Sequence, residues 1–121
     1  MIESLRIANL AVVEQAEIEF GPGLHALTGE TGAGKSIVLG ALALLAGGRA
    51  TADVVRDGAD EARVEAVFRT DRAPDLEAAV RERGLDVEDH TLIVARSVGR
   101  EGRSRAWVAG RLVPVSVLAE L

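Results

Sequence analysis

The residues from Gly29 to Ser36 read Gly-Glu-Thr-Gly-Ala-Gly-Lys-Ser and fit the pattern G-x-x-x-x-G-K-[ST]. The glycines let successive backbone N–H groups converge on a phosphate, and the start of the following helix adds partial positive charge. A glycine-rich turn that only caps a helix is the alternative, which the lysine at the required position disfavours. The sequence therefore predicts an ATP and Mg²⁺ site with Lys35 as the catalytic residue and Ser36 as the metal ligand. The predicted nucleotide-binding residues are Gly29, Glu30, Thr31, Gly32, Ala33, Gly34, Lys35 and Ser36.

The basic residues support a special role for Lys35. The chain has 14 lysines and arginines, and Lys35 is its only lysine. A coding preference for arginine explains the others, whereas a lysine kept at this position indicates that a compact ammonium group is needed. The net charge of -5 makes the chain a poor default binder of nucleic acid, because phosphate attraction needs a concentrated positive face. If DNA is a partner, we expect this segment not to be its main platform.

Length and composition indicate one compact domain, or part of one. The chain has 121 residues, of which 48% are hydrophobic, and this is enough for a buried core. No apolar run approaches the roughly 20 residues that cross a bilayer, so we expect no membrane partner. Cysteine is absent, which excludes disulfides and thiolate metal sites. The two histidines, His25 and His90, are expected to be structural or exposed rather than catalytic.

The apolar pattern predicts an α/β fold around the loop. Two antiparallel strands are expected within residues 1–20, a buried strand over 24–28 leads into the loop, and an apolar helix runs from Lys35 to Gly47-Gly48. Further elements are expected as follows: a half-exposed strand over 62–69, a helix over 74–83 closed by Gly84, a hairpin of 91–96 with 105–109, and a last helix after Pro114 capped by Ser116. The predicted architecture is one loop-bearing βα unit flanked by antiparallel strands.

The acidic residue that hydrolysis requires has no convincing candidate in the sequence. Such a residue holds Mg²⁺ and usually stands at the end of an apolar strand. The strand over 91–96 ends in Ala95-Arg96-Ser97, and the strand over 62–69 is interrupted by Glu65 and reaches Asp71 only after two further residues. The sequence therefore predicts half of a catalytic site.

Four stretches of the chain resemble the N-terminal part of the RecN family of bacterial DNA-repair proteins, which are relatives of SMC proteins. Residues 5–10 are similar to the first strand of SMC-type heads, and residues 28–36, TGETGAGKS, match the family's loop. The other two are residues 48–59, with Gly-Arg-Ala and Val-Arg-Asp-Gly-Ala, and residues 102–114, with Gly-Arg-Ser-Arg-Ala. The loop is shared by many families, whereas the later stretches single out this one.

The resemblance implies a P-loop NTPase fold of the ABC and SMC head type, with residues 1–121 as its N-terminal lobe. A long coiled coil would separate this lobe from a C-terminal lobe that carries the signature motif, the Walker B acid and the catalytic glutamate. Since these motifs are absent, the isolated lobe is expected to be an inactive half of an ATPase. In the family, ATP is held between two heads of a homodimer, so that binding drives head engagement and hydrolysis releases it.

The resemblance also implies a biological setting and one further site residue. The role would be DNA double-strand break repair and recombination in the bacterial cytoplasm, at the nucleoid, with DNA bound by the complete protein. Arg56 is similar in position to an SMC-head arginine that approaches the nucleotide phosphates. The alternative for Arg56 is a solvated loop arginine.

Other classes of function stay open at this point. The chain could belong to a small-molecule kinase, to the ATPase subunit of a transporter, or to a module that binds nucleotide without hydrolysing it. A transporter subunit usually stacks adenine on an aromatic residue ahead of the loop, where only Phe20 is available. Arg100, Arg103 and Arg105 could contact DNA phosphates, but we expect a solvated turn instead.

Overall fold

A computed structural model describes residues 2–19, 32–71 and 73–120. In chain order the elements are β1 (Ile2–Leu10), β2 (Val13–Glu19), α1 (Gly32–Leu45), a 3-10 turn (Ala52–Val54), β3 (Glu61–Arg69), α2 (Pro74–Glu82), β4 (Thr91–Gly99), β5 (Ser104–Val108), β6 (Arg111–Val113) and α3 (Val115–Glu120). The strand predicted over 24–28 lies outside the described residues.

The six strands form one sheet in the order β2-β1-β3-β4-β5-β6, and each neighbouring pair is antiparallel. The predicted pairing of the first two strands and the predicted hairpin of β4 with β5 are confirmed. The edge strand β6 was not predicted, because its three residues are too short to display an alternating pattern. It extends the hairpin to a three-stranded meander after a turn at Gly110, whose φ is +82°.

One face of the sheet is buried because apolar side chains alternate along the strands. On β1 the inward side chains are Leu5 and Ile7, and on β3 they are Ala62, Val64 and Ala66. Helix α1 packs against β3 and β4 on this side of the sheet. The helix that follows the predicted phosphate loop therefore packs on the buried face of the sheet.

Helix α1 begins at Gly32, three residues earlier than the predicted start at Lys35. The last part of the glycine loop is thus already the first turn of the helix. Val38, Ala41, Leu44 and Leu45 form its buried face. Leu39, Gly40 and Ala43 are exposed among the described residues, although the helix is apolar nearly all round.

The predicted end of α1 at Gly47-Gly48 is confirmed by its hydrogen bonds. The N–H of Gly48 donates to the carbonyl of Ala43 at 2.9 Å, and the N–H of Gly47 donates to the carbonyl of Leu44 at 3.1 Å. This pair of bonds is the Schellman arrangement, which requires a left-handed residue after the helix. Gly47 supplies that residue with a φ of +89°.

Helix α2 begins at Pro74 and ends before Gly84, as the sequence predicted. Its buried carboxylate, Glu77, accepts a hydrogen bond from Nδ1 of His90 at 2.7 Å. This bond lowers the pKa of Glu77 against the opposing effect of burial. His90, which is exposed, therefore has a structural contact that fastens α2 to the start of β4, as the sequence led us to expect for this residue.

The predicted cap of the last helix is wrong. Helix α3 begins at Val115, directly after Pro114, so Ser116 lies inside the helix and not at its boundary. Proline favours the first positions of a helix, and here it sets the start one residue before the serine.

No helix among the described residues is long and apolar enough to cross a membrane.

We predict opposite effects of the same substitution at two glycines. Gly47→Ala should destabilise the chain by about 1–3 kcal/mol, because alanine is strained at positive φ and its Cβ would lie 2.9 Å from the backbone nitrogen of Ala119. Gly40→Ala, the control inside α1, should stabilise by about 0.5–1 kcal/mol, since its Cβ meets nothing within 4 Å. Urea unfolding of both variants tests this, and equal effects would contradict the assigned end of α1.

Candidate functional site

The predicted phosphate loop ends at the N-terminus of α1. Gly29, Glu30 and Thr31 lie outside the described residues. The backbone from Gly32 to Ser36 forms the start of the helix, and the nucleotide-binding roles of Lys35 and Ser36 stay predictions. Backbone N–H groups in the first turn of a helix have no acceptor within it, and the helix dipole adds partial positive charge. This end of α1 is therefore suited to bind an anion such as a phosphate.

The opposite end of α1 is held by a buried arginine of the sheet. Arg96, in the middle of β4, is 3% exposed and points toward α1. Its Nη1 donates to the carbonyl of Leu44 at 2.8 Å and also to the carbonyl of Gly48. Its Nε and Nη2 donate to Oγ of Ser104 on β5, at 3.2 and 3.1 Å. One guanidinium thus joins the end of the helix to two strands.

The environment of Arg96 consists of neutral dipoles. The described residues record no ion pair for it, and its charge faces the negative end of the α1 dipole. Burial lowers the pKa of the Arg96 guanidinium from its usual range, but an arginine in a protein keeps its proton. Sequence reasoning took Arg96 only as the polar end of a strand. Val98 continues the alternation of Leu92 and Val94, and this pattern could have placed Arg96 on the buried face.

Arg56 lies in a segment that is hydrogen-bonded to the β1–β2 turn. Its N–H donates to the carbonyl of Asn9 at 2.9 Å, and the N–H of Ala11 donates to the carbonyl of Val54 at 2.7 Å. Its Nε is buried and has no hydrogen-bond partner among the described residues. The side chain borders a cavity of about 400 Å³ that is lined by Ala11, Val12, Asp53, Val55, Arg56 and Asp57.

The arginines of the β4–β5 hairpin do not form a concentrated positive surface. Arg103 and Arg105 border a cavity of about 210 Å³ whose lining also includes Asp60, Glu61 and Glu101. The N–H of Arg100 donates to the carbonyl of Asp60 at 2.9 Å, which ties the tip of the hairpin to the start of β3. Three acids thus surround two of the three arginines, and this mixed surface agrees with the expected solvated turn.

The described residues include both strands that the sequence offered as positions for the acid that hydrolysis needs. They contain no group of three or more histidine, cysteine, aspartate or glutamate side chains that could hold a metal ion. Asp71, just beyond β3, is exposed and lies 4.0 Å from Nε of Arg69. The strand that ends at Arg96 in the sequence interpretation continues to Gly99 and presents an arginine, not a carboxylate, to α1. The half-site therefore stays a prediction.

Comparison with known proteins identifies relatives of the whole chain. It is 50% identical over 117 residues to the DNA repair protein RecN of Streptomyces coelicolor, which covers 97% of this chain and 20% of that protein. It is 44% identical over 117 residues to the DNA repair protein RecN of Treponema pallidum, with 96% of this chain and 20% of that protein covered. The chain therefore spans about a fifth of the length of these relatives.

The fold has solved counterparts. An Smc head domain with a coiled coil and joint, derived from Pyrococcus yayanosii, matches with a TM-score of 0.76 at 24% identity, covering 99% of this chain and 24% of that one. The match confirms the predicted P-loop NTPase fold of the SMC-head type. The AAA domain family matches residues 4–97, which include the loop, α1, the Arg56 segment and Arg96. The chain thus belongs to the AAA domain family, and within it the sequence is similar to RecN.

Proposed function

We propose that this chain is the ATP-binding lobe of an SMC-like head ATPase that acts in DNA double-strand break repair and recombination. The observation that carries the proposal is the sequence from Gly29 to Ser36 leading into the N-terminus of α1. The relatives at 44–50% identity are named DNA repair proteins, and they are about five times longer than the chain. ATP turnover is therefore proposed for the complete protein.

The nucleotide contacts that we propose follow from the chemistry of the loop. Backbone N–H groups from Gly29 to Gly34, together with the α1 dipole, hold the β-phosphate. Lys35 neutralises the β- and γ-phosphate oxygens, and Ser36 ligates Mg²⁺. Arg56 adds a cation from another segment, since its buried Nε has no acceptor within residues 2–19, 32–71 and 73–120, and a phosphate oxygen would supply one.

A second lobe explains the unpartnered face of α1. Leu39 is 67% exposed, and Ala43 is also exposed, among the described residues. Burying one leucine stabilises a fold by about 1.5–3 kcal/mol, so a partner surface on this face is energetically favoured. We propose that the C-terminal lobe of the same head covers it and brings the missing acid. The isolated chain is then a binding module without turnover.

In the complete protein the proposed cycle uses two heads. ATP bound to one lobe is closed over by the second head of a homodimer, and hydrolysis releases the pair. The -5 net charge and the mixed hairpin surface favour DNA contacts made mainly elsewhere in the protein. The proposed location is the bacterial cytoplasm, at the nucleoid.

Lys35→Ala in the full-length protein should weaken Mg²⁺-ATP binding about 10- to 100-fold, because a charge-assisted contact to the phosphates contributes about 1.5–3 kcal/mol. Arg49→Ala, at an exposed cation beyond the other end of α1, is the matched control and should bind ATP normally. Titration with a fluorescent ATP analogue measures both. Wild-type affinity in the Lys35 variant would remove the basis for the proposed nucleotide site.

Arg56→Ala should lower ATP turnover of the full-length protein about tenfold or more, since a charged hydrogen bond to phosphate is lost. Thermal stability should stay unchanged, because the Nε of Arg56 has no partner to lose among the described residues. Arg111→Ala, at an exposed position of β6, is the control. Unchanged turnover in the Arg56 variant would favour the solvated loop arginine instead.

A further inference from the structure

We infer that Arg96 is a positioning residue of the nucleotide site, which fixes the placement of the phosphate loop from the far end of α1. The inference rests on the proposed function, because it concerns the same loop. The hydrogen bonds from Arg96 to α1 reach the carbonyl of Leu44 in the last turn and the carbonyl of Gly48 beyond it. Its effect is therefore exerted through the helix.

The length of α1 couples a displacement at one end of the helix to a displacement at the other. A helix of 14 residues is about 21 Å long, with Lys35 in its first turn and Leu44 in its last. A small tilt or axial shift at the Leu44 end therefore displaces the loop end. Precise placement matters there, because phosphate contacts depend strongly on distance and direction.

Apolar packing alone leaves this placement loosely specified. Val38, Ala41 and Leu45 bury surface against the sheet, but hydrophobic contact is not directional and permits small sliding movements. Both bonds to the helix end come from Nη1 of Arg96, and Nε and Nη2 hold the plane of the guanidinium fork on Ser104, so the carbonyls of Leu44 and Gly48 meet donors of fixed direction. Arg96 therefore supplies the register that packing lacks.

The orientation of the fork is set in turn by the β4–β5 hairpin. Ser104 accepts from Nε and Nη2 of Arg96, on the edge opposite to the bond that reaches Leu44. Ser104 directly follows the hairpin loop, which is closed by the N–H of Gly99 donating to the carbonyl of Arg103 at 2.6 Å. Removal of the Ser104 hydroxyl should loosen the fork without removing the charge or the helix contact.

A purely structural cap would behave differently from a positioning residue. A cap adds stability to the folded state, and its loss lowers the melting temperature while the folded molecules still bind ATP normally. A positioning residue also changes the affinity of the folded protein. The distinguishing quantity is the Kd for Mg²⁺-ATP, measured well below the melting temperature of each variant.

The test uses the full-length protein with four variants, each assayed for ATP affinity and thermal unfolding. Arg96→Met should raise the Kd about tenfold, and Arg96→Lys should recover part of that loss because an ammonium group reaches a carbonyl but cannot form the fork. Ser104→Ala should raise the Kd about threefold. Arg63→Met is the matched control: this arginine, on neighbouring β3, lies over Trp107 at 4.8 Å rather than on α1, and its loss should leave the Kd unchanged.

Two results would overturn the inference. One is a lower melting temperature in Arg96→Met with wild-type affinity, and the other, used if that variant does not fold, is wild-type affinity in both Ser104→Ala and Arg96→Lys. Lys35→Ala, assayed in parallel, separates this failure from failure of the proposed function. If Lys35→Ala loses affinity while the Arg96 variants keep it, only the positioning role is rejected. If Lys35→Ala also keeps it, the nucleotide site is rejected.

Discussion

The guanidinium of Arg96 joins the end of α1 to two strands of the sheet, through hydrogen bonds to the carbonyls of Leu44 and Gly48. The carbonyls in the last turn of a helix have no N–H donor within the helix. A buried carbonyl that finds no other donor destabilises the fold by about 1–3 kcal/mol. The N–H groups of Gly47 and Gly48 satisfy the carbonyls of Leu44 and Ala43. Arg96 adds a second donor to the carbonyl of Leu44 and one to the carbonyl of Gly48, which follows the helix. The helix that follows the phosphate loop is therefore fixed at its far end by directional bonds.

Local patterns were sufficient to predict most of the described fold. Alternation predicted the strands, and glycine and proline predicted the C-terminal end of α1 and the start of α2, because those features depend on neighbouring residues. The partners of Arg96 at the end of α1 are 48 and 52 residues away in the sequence, so no local pattern could identify them. The cap predicted at Ser116 was wrong and β6 was missed for another reason. Periodicity cannot resolve a one-residue shift at a helix start or a strand of three residues.

The candidate site was predicted from residue type alone. The loop pattern has four fixed positions, of which Gly34, Lys35 and Ser36 lie at the start of α1, and their binding roles stay predictions. The proposed second lobe would supply the catalytic acid and cover the exposed apolar residues of α1, Leu39 and Ala43. Relatives about five times as long as the chain have room for such a lobe.

The most direct test of this half-site is to compare nucleotide binding with turnover in the isolated chain. Equilibrium dialysis with Mg²⁺-ATP measures binding, and release of inorganic phosphate from the same samples measures hydrolysis. We predict that the chain binds ATP and releases no phosphate above the background of buffer. Metal-dependent phosphate release that disappears with Lys35→Ala would contradict the account, since the chain would then contain the catalytic acid itself.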